Sequence, residues 1–196
     1  KNPPTTTLKP IIPLYNDEIN NRKFANSSCK FKLEALSGDN YSAVDHIEFS
    51  LDNNVFQTYT EPFNITVEGS HSIQYKSLDS IGNWETVKSF TIFIDNTTPV
   101  CQLKFGNTKY EANGNIYIPF RNDIYFDATD GGLVPSGIKN IFYSGDNGAS
   151  FKTYSGEGIL LTKPGLNQIM YYASDNADNI SEIYNVNIIL DPAPHK

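Results

Sequence analysis

Apolar and polar residues alternate with a period of two over short stretches of this chain, the pattern of strands with one buried face. From Cys29 to Ala35 the odd positions (Cys29, Phe31, Leu33 and Ala35) are apolar and the even ones are charged. From Asn122 to Ala128 the matching inward positions are Ile124, Phe126 and Ala128. The same reading predicts paired strands over 46–50 and 140–144, 56–59 and 151–154, 72–76 and 168–172, and 86–94 and 182–190. The connectors at 51–54 and 145–148 are built from Asp, Asn and Gly, which tolerate positive φ and predict tight hairpins. Helical periodicity is absent, and turn signals recur at roughly ten-residue intervals, as in a β-sandwich. Segment 11–28 is less patterned; its counterpart at 110–118 predicts a hairpin.

The predicted strands come in pairs because the chain repeats itself. Gly69, Ile73, Tyr75, Asp79, Asn83, Ile92 and Asp95 recur about 96 residues later as Gly165, Ile169, Tyr171, Asp175, Asn179, Ile188 and Asp191. A repeat of this length predicts one domain copied in tandem. The expected organisation is all-β, with two tandem immunoglobulin-like antiparallel β-sandwich domains over 1–95 and 96–196. The antibody Cys…Trp…Cys spacing is missing, since each copy holds one cysteine, so the likeness is one of architecture. The junction at 95–99 ends in Pro99, and so short a proline-bearing linker predicts a stiff elbow.

Composition removes several function classes. The 196 residues carry a net charge of −7 with no basic cluster longer than Arg22-Lys23, which argues against nucleic acid and anionic membrane surfaces. No apolar run approaches the roughly 20 residues that span a bilayer, so direct membrane insertion is not expected. The chain opens on Lys1, Asn2 and Pro3 without a signal-peptide pattern. Asp191-Pro192 echoes the mid-chain junction, which predicts a piece of a longer multi-repeat chain.

Three groups of residues carry candidate chemistry. In a sandwich the loops holding Asp127, Asp130, Asp175 and Asp178 gather at the pole that also holds Asp95 and Asn96. Hard oxygen donors from several loops suit Ca²⁺; the alternative is that these residues only close turns through their own backbone. The first copy keeps Asp39 and Asp79 at its own pole. Cys29 and Cys101 occupy unmatched positions, and topology brings their strand ends toward one pole, which allows an interdomain disulfide. Each also shares parity with core residues, so buried free thiols are the other reading. Of the aromatics, Tyr75 with Tyr171 and Tyr59 with Tyr154 repeat and are expected in the core. The unrepeated Trp84, Tyr110, Tyr117 and Tyr172 are the candidates for binding. His46, His71 and His195 lack the spacing of a metal site or the company of a nucleophile, so an enzyme is not expected.

The elements Ser136-Gly137-Ile138, Tyr143 to Gly148, Phe151 to Tyr154, Glu68 to Tyr75, Asp79 to Asn83 and Asp95 to Pro99 together resemble bacterial Ig-like surface repeats. These are typified by the repeat domains of leptospiral outer-membrane-associated surface proteins. Ser42-Ala43-Val44 departs from the Ser-Gly-Ile pattern in the first copy, and Asp178 replaces a glycine in the second. The resemblance implies an extracellular or bacterial cell-surface location and a non-enzymatic stalk or adhesin that binds a host matrix or cell-envelope protein. The alternative is a carbohydrate-binding or spacer module of a secreted glycan-active enzyme. Inward aromatics favour the first reading, and an aromatic row on an outer sheet face beside Asn and Asp favours the second.

Overall fold

The computed structural model describes residues 2–191 and contains strands and turns but no helix among them. The chain divides into two compact units, Lys1–Asn96 with Gly132–Val134, and Thr97–Gly131 with Pro135–Lys196. Each is an immunoglobulin-like sandwich of a three-stranded and a six-stranded sheet.

In the first unit the small sheet runs β1(Thr5–Pro10), β4(Lys30–Leu36), β7(Phe63–Asn64). The large sheet runs β2(Tyr15–Asp17), β3(Arg22–Ala25), β9(Lys88–Ile94), β8(Gly69–Asp79), β5(Val44–Leu51), β6(Gln57–Thr58). The less patterned segment is the hairpin β2–β3, as its counterpart predicted. Its second strand joins β9 in parallel, through Phe24 opposite Phe93, while the other pairings of the unit run antiparallel.

The second unit repeats this plan. Its small sheet is β10(Val100–Phe105), β13(Asp123–Thr129), β16(Ile159–Leu160). Its large sheet is β11(Tyr110–Ala112), β12(Asn115–Pro119), β18(Tyr184–Asp191), β17(Gly165–Asp175), β14(Ile138–Ser144), β15(Lys152–Thr153), again with one parallel ladder, β12 on β18. Even the irregularities coincide. The register slips between Val44 and His46 in β5, and between Ile138 and Asn140 in β14.

Alternation sorts the side chains as expected. Cys29, Phe31, Ile65, Ile73, Ile92 and Ile94 are buried between the sheets of the first unit, with Tyr75 packed on them. Cys101, Ile124, Phe126, Ile169, Tyr171 and Ile188 form the second core, which Tyr154 also packs against. Of the two readings of Cys29 and Cys101, the structure has the buried thiols: both are free, each sealed in the core of its own unit. Burial raises both thiols, Cys101 to about 11, and outweighs the backbone bonds that Cys29 receives. Each cysteine stands where the other copy has a buried polar residue, Cys29 for Asn122 and Cys101 for Thr6.

Candidate functional site

The repeated Asp-to-Asn turn explains why these residues recur. Asp79 is buried at the end of β8, where its Oδ1 accepts the N–H of Ile81 and of Asn83, at 3.1 and 2.7 Å. Its Oδ2 accepts the Asn83 side-chain amide at 2.7 Å and the Ser42 hydroxyl at 3.0 Å. Burial alone would raise this carboxyl, but the bonds from Asn83, Ser42 and Ile81 outweigh it and hold Asp79 at about 2. In the second unit Asp175, fully buried, takes both the N–H and the side-chain amide of Asn179, each at 2.8 Å. The conserved geometry is thus a carboxylate clamp that closes the β8–β9 and β17–β18 connections.

The six expected calcium ligands fall into different situations. Within the second unit, Asp130 and Asp175 each place a carboxylate oxygen within 4.8 Å of the other. Asp130 Oδ2 accepts the N–H of Gly137 at 2.7 Å. Like charges this close repel, and a hard cation taking oxygen ligands is one agent that relieves the repulsion. Asp95 belongs to the first unit and is fully buried there, its N–H bonded to Ala25 O at 2.9 Å. The other three are committed elsewhere. Asp127 stands on the outer face of β13, opposite in parity to the buried Phe126, and pairs with Lys104 at 2.5 Å. Asp178 turns outward to Lys139 at 2.6 Å. Asn96 uses its whole amide inside the first unit, accepting the Ser27 N–H at 2.8 Å and donating to Thr66 O at 3.0 Å.

The aromatic candidates lie on the outer faces of the large sheets. On the first unit the ammonium of Lys76 sits 4.0 Å from the centroid of the Trp84 ring and 4.7 Å from that of Phe56. The Lys76 ammonium also pairs with Glu48 at 3.2 Å. His46 meets Trp84 edge-on, with centroids 5.5 Å apart, and its Nδ1 reaches Asp45 at 2.6 Å. Its hydrogen bond to Asp45 raises the His46 imidazole, against a smaller lowering by burial.

The same place on the second unit is apolar. Tyr172 stands where Lys76 does, Phe142 where Glu48 does, Phe151 where Phe56 does, and Ile180 where Trp84 does. Phe142 and Tyr172 stack at 4.8 Å, and Phe151 meets Tyr172 edge-on at 5.1 Å. At the far corner of the sheet Tyr110 and Tyr117 form a cross-strand pair with centroids 6.0 Å apart, Tyr110 being 68% exposed. The sequence reading missed Lys76, Glu48, Phe142 and Phe151 as partners of its candidates. Their signal was parity: each is an outward position on a strand already located.

No family model and no curated protein matches this chain. Among solved structures it is similar to the Clostridium thermocellum CbhA fibronectin(III)-like modules, at 16% sequence identity and a TM-score of 0.47, over 97% of this chain and 98% of that one.

The two described histidines have structural partners. His71 is buried, with Nδ1 2.8 Å from Asp52 Oδ2 and Nε2 2.9 Å from Val67 O, so it ties the β5–β6 turn to the start of β8. His46 belongs to the Trp84 cluster, and His195 lies outside the described residues.

Proposed function

We propose that this chain is a non-catalytic tandem Ig-like module of a bacterial surface or secreted protein. It acts as a stalk and adhesin that contacts a host matrix or cell-envelope protein through the outer faces of its large sheets. The observation that carries this reading is the contrast between the copies at one location. On β8 and β17 the inward Gly69, Ile73, Tyr75 and Asp79 recur as Gly165, Ile169, Tyr171 and Asp175, whereas the outward residues exchange a cation–π and ion-pair cluster for an aromatic stack. Duplication that preserves the core and changes a surface patch fits a contact surface. Half-exposed Trp and Tyr are the residue types that dominate binding energy at protein interfaces.

A carbohydrate-binding or spacer role in a glycan-active enzyme is the second reading, favoured by outward aromatics near Asn140 and Asn185. Against it, Trp84 already holds Lys76 over its ring, and Phe142 and Tyr172 stack on each other rather than forming an open platform. The test is surface-immobilised binding of the whole chain to a panel of matrix proteins and to a neutral glycan array, with Trp84→Ala and Tyr172→Ala alongside. Saturable binding to a protein, weakened tenfold or more by either variant, supports the adhesin. Binding to neutral glycans alone supports the second reading.

A further inference from the structure

Among the described residues the second unit has five lysines, and their partners divide them sharply. Lys104 pairs with Asp127, Lys109 with Glu111 and Lys139 with Asp178, all within 2.6 Å. The ammoniums of Lys152 and Lys163 have no carboxylate or other polar partner among the described residues, and both side chains line the same cleft. That cleft, of about 440 Å³, lies where β15 and β16, the edges of the two sheets, face each other without pairing. Ile159 and Leu161 supply apolar wall, while Thr162, Ser150 and Asn167 supply polar rim. Its size falls in the range of about 300–1,000 Å³ usual for small-ligand sites.

No neighbouring carboxylate among the described residues forms an ion pair with these cations, although Asp146 keeps its charge. Asp146, the acid on the cleft wall, is already held: its Oδ1 accepts the Ser144 hydroxyl and the Ser150 N–H, at 2.6 and 3.0 Å, and its Oδ2 the Ser150 hydroxyl at 2.6 Å. Asn167 donates its amide to the carbonyls of Lys163 and Gly165, each at 2.9 Å, which fixes its rotamer and leaves its side-chain carbonyl as an acceptor. The first copy shows what the fold alone requires here, since Gln57, Val67 and His71 hold the places of Lys152, Lys163 and Asn167. The second copy therefore places two cations that the first lacks in one concavity of a chain whose net charge is −7.

We infer that this cleft binds an acidic saccharide, one sugar unit bearing a carboxylate or sulfate, with Lys152 and Lys163 on the anion. Asn167 and Thr162 meet the hydroxyls, and Ile159 and Leu161 meet an apolar ring face. A charged ligand group explains the unpaired ammoniums, and the mix of acceptor, hydroxyl and short apolar wall matches a polyol ring better than an extended peptide. The site is separate from the sheet faces and goes beyond the adhesin reading.

Titration calorimetry of the whole chain tests it with three probes: an oligogalacturonate trisaccharide, a heparin-derived tetrasaccharide, and neutral cellotetraose. At least one acidic probe is expected to bind while cellotetraose does not. Lys152→Gln and Lys163→Val install the first copy's own residues, so the fold tolerates them, and each is expected to weaken binding by about tenfold. Lys104→Gln, at a lysine outside the cleft, is expected to leave binding unchanged. Failure of both acidic probes to bind, equal binding of cellotetraose, or indifference to both cleft variants overturns the assignment. Tighter binding of an oligoglutamate peptide than of either acidic saccharide overturns it as well.

Discussion

The main-chain N–H of Thr6 points at the carboxylate of Glu85, 2.9 and 3.0 Å from its two oxygens. Lys88 completes the clasp, pairing with Glu85 at 2.6 Å and donating to Thr6 O at 2.7 Å. Thr6 lies on β1, an edge strand, and both of its outward backbone groups are satisfied by side chains, Glu85 from the β8–β9 connection and Lys88 from β9. A buried Thr6–Ser77 hydroxyl contact at 2.8 Å lies beneath, and Ser77 in turn donates to Glu85. An open strand edge is a template for unwanted pairing, and this clasp closes it.

Glu85→Ala strands the Thr6 N–H and the Ser77 hydroxyl in a buried position, at a cost of about 2–3 kcal/mol. Trp84 is the chain's one tryptophan, so its fluorescence reports denaturant unfolding of the first unit specifically. The midpoint is expected to fall in the variant. Burial by itself raises Glu85, but the bonds from Lys88 and Thr6 outweigh it and leave the carboxyl below its ordinary 4.5. A depressed folded-state value contributes stability above pH 4.5 that is lost as pH falls below it. The wild-type midpoint should therefore drop on acidification below 4.5, and this drop should shrink in Glu85→Ala. An equal drop in both proteins would assign the acid sensitivity to other groups, such as Asp79.

Asp178 and Gly82 occupy the same turn position, and both adopt positive φ, 66° and 89°. Glycine takes that conformation freely, whereas a β-carbon makes it costly. Asp178→Ala is expected to lose about 1 kcal/mol relative to Asp178→Gly, because alanine keeps the strain and drops the local polar contacts of aspartate. Loss of the exposed pair to Lys139 matters less, since such pairs contribute about 0–1 kcal/mol. Far-ultraviolet dichroism in denaturant checks the order, with Trp84 fluorescence unmoved. An alanine variant as stable as the glycine one would show that the turn relaxes.

Strand positions, the paired β2–β3 and β11–β12 hairpins and the Asp79 and Asp175 turns were legible because they depend on local alternation and on turn chemistry. Asp127 was legible in principle too: with Phe126 and Ala128 inward, it had to face solvent on β13, where Lys104 reaches it diagonally from β10. Which residues share an outer face was harder. Placing Phe142 beside Tyr172, or Lys76 beside Glu48, requires the register between strands, and each of those ladders contains a slip that local pattern does not reveal. Parity located Cys29 and Cys101 correctly but left their state open, because both a bridge and a buried thiol satisfy it. The cleft lysines carried no local signal, since a lysine lacks a partner only by virtue of what the fold places around it.

Thiol chemistry separates the two cysteine states directly. With both side chains buried and their thiols raised, Cys101 to about 11, alkylation by iodoacetamide at pH 7.5 is expected to be slow in the folded protein. In denaturant without any reductant, mass spectrometry should show two additions per chain. A chain that takes no label until reductant is added would establish a Cys29–Cys101 bridge in place of the two buried thiols.

Asp130 and Asp175 give the remaining expectation. Their oxygens lie within 4.8 Å, and a divalent ion that binds the folded state alone raises its stability by mass action. For a site of about 10⁻⁴ M, typical of extracellular modules, 1 mM calcium adds about 1.4 kcal/mol, or several degrees of melting temperature for a domain of this size. Calorimetry of the whole chain with 1 mM calcium and with chelator is therefore expected to separate by several degrees. Asp130→Asn removes one charge, keeps an oxygen for the Gly137 N–H and should abolish that separation. It should also raise the chelator-state melting temperature, because the repulsion between the two acids is gone. Identical melting curves with and without calcium would show that hydrogen bonds alone hold the pair.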